Sequence, residues 1–151
     1  MKHSTDLKQV SAILRKALEG DCTNVADYGA GTGTKGVELA EQLGKQLYRF
    51  DPALPEATNI QFFRDIYDAD IVVCANVLNV IKDDAVLRET VKTIVKCVNA
   101  SRGGVGWVSI YKAPHPSKTQ RGEHPREYLD LFLQYNRQAT LTGNVITLRK
   151  V

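Results

Sequence analysis

The sequence predicts an α/β protein with a doubly wound, mostly parallel sheet, formed as a single domain over residues 1–151. Short apolar segments alternate with amphipathic ones, which is the pattern of strands separated by crossover helices. The run 70–75 is continuously apolar after its first residue, as in a parallel strand buried on both faces. Near the end of the chain, Gly143-Asn144 separates two β-branched runs, which predicts an antiparallel hairpin at one edge of the sheet.

The elements of the first third follow from their spacing. Apolar residues at helical intervals predict a first helix that Gly20 ends, formed by Leu7, Val10, Leu14, Ala17 and Leu18. A short apolar run predicts the first strand over 24–28. An amphipathic helix is expected over 35–43, and the second strand over 46–50.

The middle of the chain is short for this fold class. Residues 60–63 form an apolar run and are expected to be a third strand, and 70–75 the fourth. Little chain is left between 51 and 70 for helices, so the crossover between the second and fourth strands is expected to be reduced.

The last third continues the alternation. Amphipathic patterns predict helices over 83–100 and 126–135, and an apolar run predicts a strand over 105–111 between them. The closing hairpin is expected over 140–148.

The segment Asp27-Tyr28-Gly29-Ala30-Gly31-Thr32-Gly33 lies between a predicted strand and a predicted helix. Glycines there allow a sharp turn and close approach of a ligand to backbone N–H groups. A carboxylate at the strand end suits a ligand with positive charge. A phosphate-binding loop is excluded, since Thr34 stands where the second glycine is required.

Two further interpretations of these glycines remain open. A dinucleotide fingerprint over Gly31, Gly33 and Gly36 begins two residues late and gives Asp27 and Gly29 no role. A glycine-rich turn without a ligand is the other. Asp51 follows the second strand about 20 residues beyond the loop, where related folds place a carboxylate on ribose hydroxyls. It could instead begin a turn before proline.

The pattern Asp27-x-Gly29-x-Gly31-x-Gly33 resembles motif I of the class I S-adenosylmethionine-dependent methyltransferases, which have a Rossmann-like fold. The resemblance implies S-adenosyl-L-methionine as cofactor and methyl transfer as the activity. It implies that Asp27, Tyr28, Gly29, Gly31 and Gly33 hold the methionine part of the cofactor and that Asp51 holds the ribose.

The resemblance extends to later positions. Asp65 and Ile66 are similar in place to the family's pair around the adenine ring, and Asn76 is expected to touch the cofactor or orient the acceptor. A weaker similarity, in Asp51-Pro52, 77–81 and Thr119-x-x-Gly122, is to methyltransferases associated with DNA phosphorothioation gene clusters.

The acceptor half departs from the family's known patterns. Residues 74–77 read Cys-Ala-Asn-Val, where amino-methyltransferases carry an (Asp/Asn/Ser)-Pro-Pro-(Tyr/Phe) tetrad, and no Pro-Cys nucleophile follows that strand. The catalytic residues and the acceptor, a nucleic acid or a small molecule, are therefore unassigned. A catalytically silent module that binds the cofactor and serves as a partner subunit or regulator is the alternative, and a nicotinamide-dependent oxidoreductase is a third hypothesis.

Composition bounds the setting. The chain is 43% hydrophobic and 25% charged, and it contains neither an apolar run of membrane-spanning length nor a signal-peptide pattern. Its three widely spaced cysteines indicate no disulfide framework and no metal site, so we expect a cytoplasmic protein. The basic segment 112–126 is either a face for nucleic acid or a solvated loop. A homodimer is a further expectation, since a shortened crossover would expose apolar surface.

Overall fold

The computed structural model describes residues 10–31, 33–54, 62–112 and 115–151. Strands and helices alternate through these ranges. In chain order they are α1 (Ala12–Glu19), β1 (Asn24–Tyr28), α2 (Lys35–Leu43), β2 (Gln46–Phe50), α3 (Phe62–Asp68), β3 (Ile71–Ala75), a 3₁₀ turn (Leu78–Val80), α4 (Asp84–Ala100), β4 (Val105–Ser109), α5 (Pro125–Leu133), β5 (Thr140–Thr142) and β6 (Val145–Arg149).

These strands form one sheet in the order β2-β1-β3-β4-β6-β5. The first four are parallel, and β6 runs antiparallel to both β4 and β5. The predicted α/β class, with its C-terminal antiparallel hairpin, is confirmed. Because the chain leaves β1 toward β2 and later crosses to β3 on the other side, the carboxyl ends of β1 and β3 flank the point where ligands bind in open sheets.

Each face of the sheet is covered by its own helices. On one face, α1 and α2 pack on Val25, Ile71 and Val73. On the other, α3, α4 and α5 pack on Ala26, Val72 and Cys74 among others. Alternation along β1 therefore sends Asp27 to the α1–α2 face and Tyr28 to the opposite one.

The expected third strand over 60–63 is wrong. Residues 62 and 63 begin α3, and residues 60 and 61 lie outside the described ranges. The apolar run is followed by Ile66 and Ala69, both buried, and this spacing fits one face of a helix better than alternation along a strand. The crossover between β2 and β3 therefore contains a helix of seven residues.

Other boundaries moved by a few residues, and the start of the first predicted helix, including Leu7, lies outside the described ranges. The strand expected over 105–111 ends at Ser109. At the start of α5, His124 Nδ1 accepts a hydrogen bond from the Arg126 N–H at 3.1 Å, and Glu127 accepts from the His124 N–H at 3.0 Å. These bonds cap the helix. Of the helices described, none has the length and apolar character to cross a membrane.

Candidate functional site

The turn after β1 has a backbone that requires glycine. Gly29 and Gly31 have φ of +78° and +66°, and the Gly29 N–H donates to the Phe50 carbonyl at 2.6 Å. A Cβ on Gly29 would lie 2.4 Å from Val77 Cγ2, whereas Gly31 and Gly33 face space with no heavy atom within 4 Å. The turn is therefore packed beneath by the segment after β3 and open above.

Asp51, at the end of β2, reaches back to this turn. Its Oδ2 accepts from the Gly31 N–H at 2.9 Å, and its Oδ1 accepts from the Ala53 N–H at 3.0 Å. Asp51 thus ties the end of β2 to the glycine turn. Because the Gly31 N–H donates to Asp51, it is not directed at a pyrophosphate. The carboxylates of Asp27 and Asp51 would also repel phosphate. Both features disfavour the dinucleotide interpretation.

Arg49 is a residue of this site that the sequence did not reveal. Its Nη2 donates to the carbonyl oxygens of Gly31 and Gly33, at 2.9 and 3.0 Å. It lies in register beside Asp27, and neighbouring residues in parallel strands point to the same face. One signal was present in the sequence: alternation along β2 places Arg49 on the same buried face as Leu47.

Asp27 is 9% exposed and lines a cavity of about 200 Å³ with the glycine turn, Arg49 and Lys35. Burial raises the pKa of its carboxyl to about 7. Arg49 opposes that rise and Asp51 adds to it. A positively charged ligand group would favour the ionised form. The cavity is smaller than the roughly 300 Å³ of a typical ligand site, so it accommodates only part of a nucleoside-sized ligand.

Tyr28 lies on the opposite face of β1. Its ring is buried against Phe50, with ring centres 5.2 Å apart, and burial raises the pKa of its phenol above the usual range. It borders a second cavity of about 370 Å³ beside Pro52 and the start of α4, where Ala85 and Val86 also line it. The two cavities flank the glycine turn from opposite faces of the sheet.

The predicted adenine pair lies in α3. Ile66 is buried in the core that includes Tyr28, and Asp65 is half-buried in the same helix. Their contact with an adenine ring stays a prediction.

Asn76 follows β3 with a φ of +58°, a backbone conformation that is uncommon outside glycine. Its N–H donates to the Ser109 carbonyl at 2.9 Å, and its Oδ1 accepts from Ser109 Oγ at 3.2 Å. These bonds direct its carboxamide toward β4, which lies on the far side of β3 from the glycine turn. The predicted cofactor contact of Asn76 stays a prediction.

Part of the basic segment predicted over 112–126 is bonded to the residues that follow β3, whereas Lys112, Lys118 and Arg126 are exposed. Arg121, with a side chain 11% exposed, donates to the carbonyls of Ile81 and Lys82 at 2.8 and 3.0 Å. It also pairs with Asp84 at 2.6 Å and with Glu123 at 3.0 Å. We call residues 115–124 the strap, because they lie across the segment that follows β3.

A second tether joins the strap to the same segment. Asn79 is 2% exposed, and its Nδ2 donates to Gln120 Oε1 at 2.7 Å. Its backbone carbonyl accepts from the Arg121 N–H, also at 2.7 Å. The side chain of Asn79 therefore holds the strap.

Comparison with known proteins gives likenesses in structure. No protein-family model matches the chain, and no curated protein matches it in sequence. The mitomycin 7-O-methyltransferase MmcR superposes with a TM-score of 0.53 at 16% identity, over 86% of this chain and 49% of that one. A Burkholderia thailandensis 1,6-didemethyltoxoflavin-N1-methyltransferase, solved with its namesake compound and S-adenosylhomocysteine, gives a TM-score of 0.56 at 15% identity. That match covers 93% of this chain and 76% of the other.

These likenesses establish the fold. The chain has a Rossmann-like fold that it shares with two methyltransferases, and it spans about half the length of the first. The motif I resemblance and the carboxylates at the ends of β1 and β2 agree with that class of fold.

Proposed function

We propose that this protein is an S-adenosylmethionine-dependent methyltransferase. The observation that carries the proposal is the buried carboxylate of Asp27 beside a glycine turn, with Asp51 bonded to that turn from the next strand. Support comes from the fold shared with two methyltransferases, one of which was solved with S-adenosylhomocysteine.

The residues present fit such a cofactor. The open face above Gly31 and Gly33 leaves room for a ligand, and a carboxylate at Asp27 complements a positively charged ammonium group. Asp51 is proposed to accept hydrogen bonds from the ribose hydroxyls, because a carboxylate accepts from both hydroxyls of a cis-diol. On the Pro52 side of the turn, the cavity bordered by Tyr28 would take part of the nucleoside. We propose that Asp65 and Ile66 lie near the adenine ring.

When bound, S-adenosylmethionine supplies a methyl group activated by a positively charged sulfur. The acceptor's lone pair forms a bond to the methyl carbon while the carbon–sulfur bond breaks, and the sulfur keeps the bonding electrons. The protein's part is to bind and align the two reactants, which accounts for much of the barrier reduction in such transfers. No residue is assigned here as a general base.

A small-molecule acceptor is favoured over a nucleic acid. Arg121 is held by Asp84, Glu123 and two carbonyls, and Lys82 Nζ donates to the Ser117 carbonyl at 2.6 Å. These two cations are therefore engaged within the chain, whereas Lys112, Lys118 and Arg126 of the basic segment are exposed, so phosphate contacts through those three are the alternative that assays with DNA and RNA test. The two similar structures are named for mitomycin and toxoflavin compounds, which supports the same choice.

The test is calorimetric titration of the purified protein with S-adenosylmethionine, S-adenosylhomocysteine and NAD. We expect binding of the first two and none of NAD. Asp27→Asn should strongly weaken binding, whereas Asp21→Asn, at an exposed acid outside the site, should leave the affinity unchanged. Absence of binding by the native protein would refute the proposal, and equal affinities of the two variants would refute the role of Asp27.

Activity separates the enzyme from the silent binding module. A protein that binds the cofactor should release S-adenosylhomocysteine when incubated with a panel of phenols and nitrogen heterocycles. Binding without release across such a panel and across DNA and RNA would favour the module.

A further inference from the structure

Two side chains at the end of β2 bond to Gly31, one at its N–H and the other at its carbonyl. Asp51 accepts its N–H at 2.9 Å, and Arg49 donates to its carbonyl at 2.9 Å and to that of Gly33 at 3.0 Å. A glycine-rich turn has the largest conformational entropy to lose on ordering. Bonds from side chains on a strand reduce that loss before any ligand arrives, because the strand itself is fixed by the sheet.

We propose that Arg49 is a positioning residue that sets the affinity for the cofactor through the glycine turn. By drawing the carbonyls of Gly31 and Gly33 toward β2, its guanidinium fixes which way the peptides of the turn face. The inference rests on the proposed function, since it concerns the affinity for the same cofactor.

The charge of Arg49 has a second consequence. It lies between two carboxylates, with Asp27 beside it in register and Asp51 two residues further along β2. Of the groups acting on Asp27, Arg49 favours its ionised form, whereas Asp51 and burial oppose it. Loss of Arg49 should therefore move the pH dependence of cofactor binding upward, which a purely structural residue would not do.

The chain offers a matched control. Lys45 Nζ also donates to two backbone carbonyls, those of Gly20 and Cys22, at 2.8 and 2.6 Å, away from the turn. Like Arg49→Met, Lys45→Met removes a positive charge and hydrogen bonds to two backbone carbonyls. Lys45 also shows that one ammonium can hold two carbonyls in this chain, so Arg49→Lys is a conservative variant with a physical basis.

The experiment is titration of S-adenosylhomocysteine into the native protein and these variants between pH 6 and 7.5. We expect Arg49→Met to weaken binding by about tenfold or more and to shift its pH midpoint upward, and Arg49→Lys to recover most of the affinity. Lys45→Met should keep native affinity even if its melting temperature falls. Native affinity and pH midpoint in folded Arg49→Met would overturn the inference, as would equal weakening by Lys45→Met.

A ligand-free measurement separates this inference from the proposed function. In protein labelled with ¹⁵N-glycine, the Gly31 and Gly33 amide signals should broaden or move in Arg49→Met and stay native in Lys45→Met. Unmoved signals would overturn the positioning role. If the native protein binds no cofactor, the proposed function and the affinity role fail together, and these signals still show whether Arg49 holds the turn. Should Arg49→Met fail to fold, Arg49→Gln, which also removes the positive charge, takes its place in both measurements with the same expected results.

Discussion

Cofactor binding should become stronger as the pH rises through 7, because Asp27 must lose its proton to pair with a positive ligand. Burial raises the pKa of this carboxyl to about 7 from the ordinary 3.8. The unliganded protein therefore keeps the proton in mildly acidic solution. A ligand ammonium favours the carboxylate, so binding releases that proton, and the affinity follows the ionised fraction.

The magnitude follows from the pKa. With a value of about 7, roughly one-tenth of Asp27 is ionised at pH 6 and about three-quarters at pH 7.5. An α-amino group titrates near 7.7–8.0, so part of the ligand's ammonium has also lost its proton at pH 7.5. The association constant should therefore increase about fivefold to sixfold over this interval.

The assay is calorimetric titration with S-adenosylhomocysteine at pH 6.0, 6.5, 7.0 and 7.5, in two buffers with different ionisation enthalpies. The difference in heat between buffers counts the net protons released, which should fall from nearly one at pH 6 toward zero at pH 7.5, where the ligand takes up about as many protons as Asp27 releases. Asp27→Asn should bind weakly with a flat profile. A native protein whose affinity is constant over this range, with no proton released, would refute the reasoning about Asp27.

Three further results are expected. Gly31→Ala and Gly44→Ala both place a side chain at positive φ in open space, so each should lose about 1 kcal/mol of stability. Only Gly31→Ala should weaken cofactor binding, and equal affinities of the two variants would contradict the placing of the cofactor at the glycine turn. Burial alone would raise the pKa of Asp70, but its hydrogen bonds, that from Arg102 foremost, outweigh burial and lower the pKa to about 2. Asp70→Asn should therefore lower the free energy of unfolding by about 2 kcal/mol at pH 7, as measured by urea unfolding. That difference should fade as the pH falls from 4 to 2, and persistence at pH 2 would contradict it. Arg121→Met should cost about 3 kcal/mol and expose the strap to thermolysin, and native resistance would show that other contacts hold the strap.

The local part of the site was predictable from sequence because it depends on neighbouring residues. A strand, a glycine turn and a helix follow one another within 20 residues, and each is specified by its own spacing. Gly29 illustrates the reason, since its positive φ and its contact with Val77 exclude any side chain. The error over 60–63 has the same origin. Ile-Gln-Phe-Phe fits either a strand or the start of a helix, and the buried Ile66 and Ala69 decide between them only when the whole stretch is considered.

Residues that act across the chain were not predictable. Arg49 holds a turn 18 residues earlier, and Arg121 pairs with Asp84 across 37 residues. Their bonds depend on which strands are neighbours and in which register, and a single sequence does not contain that information. The charge of the basic segment is likewise visible in the sequence, but the partners of Arg121 are not.

The segment after β3 contacts both the glycine turn and the strap. At one end, Val77 fills the space beneath Gly29. Two residues later, Asn79 holds Gln120 and Arg121 of the strap. Any movement of the glycine turn on ligand binding therefore presses on a segment that also anchors the strap, because packed side chains transmit small displacements. The glycine turn is consequently specified by a local motif, whereas the strap is held by residues distant in sequence.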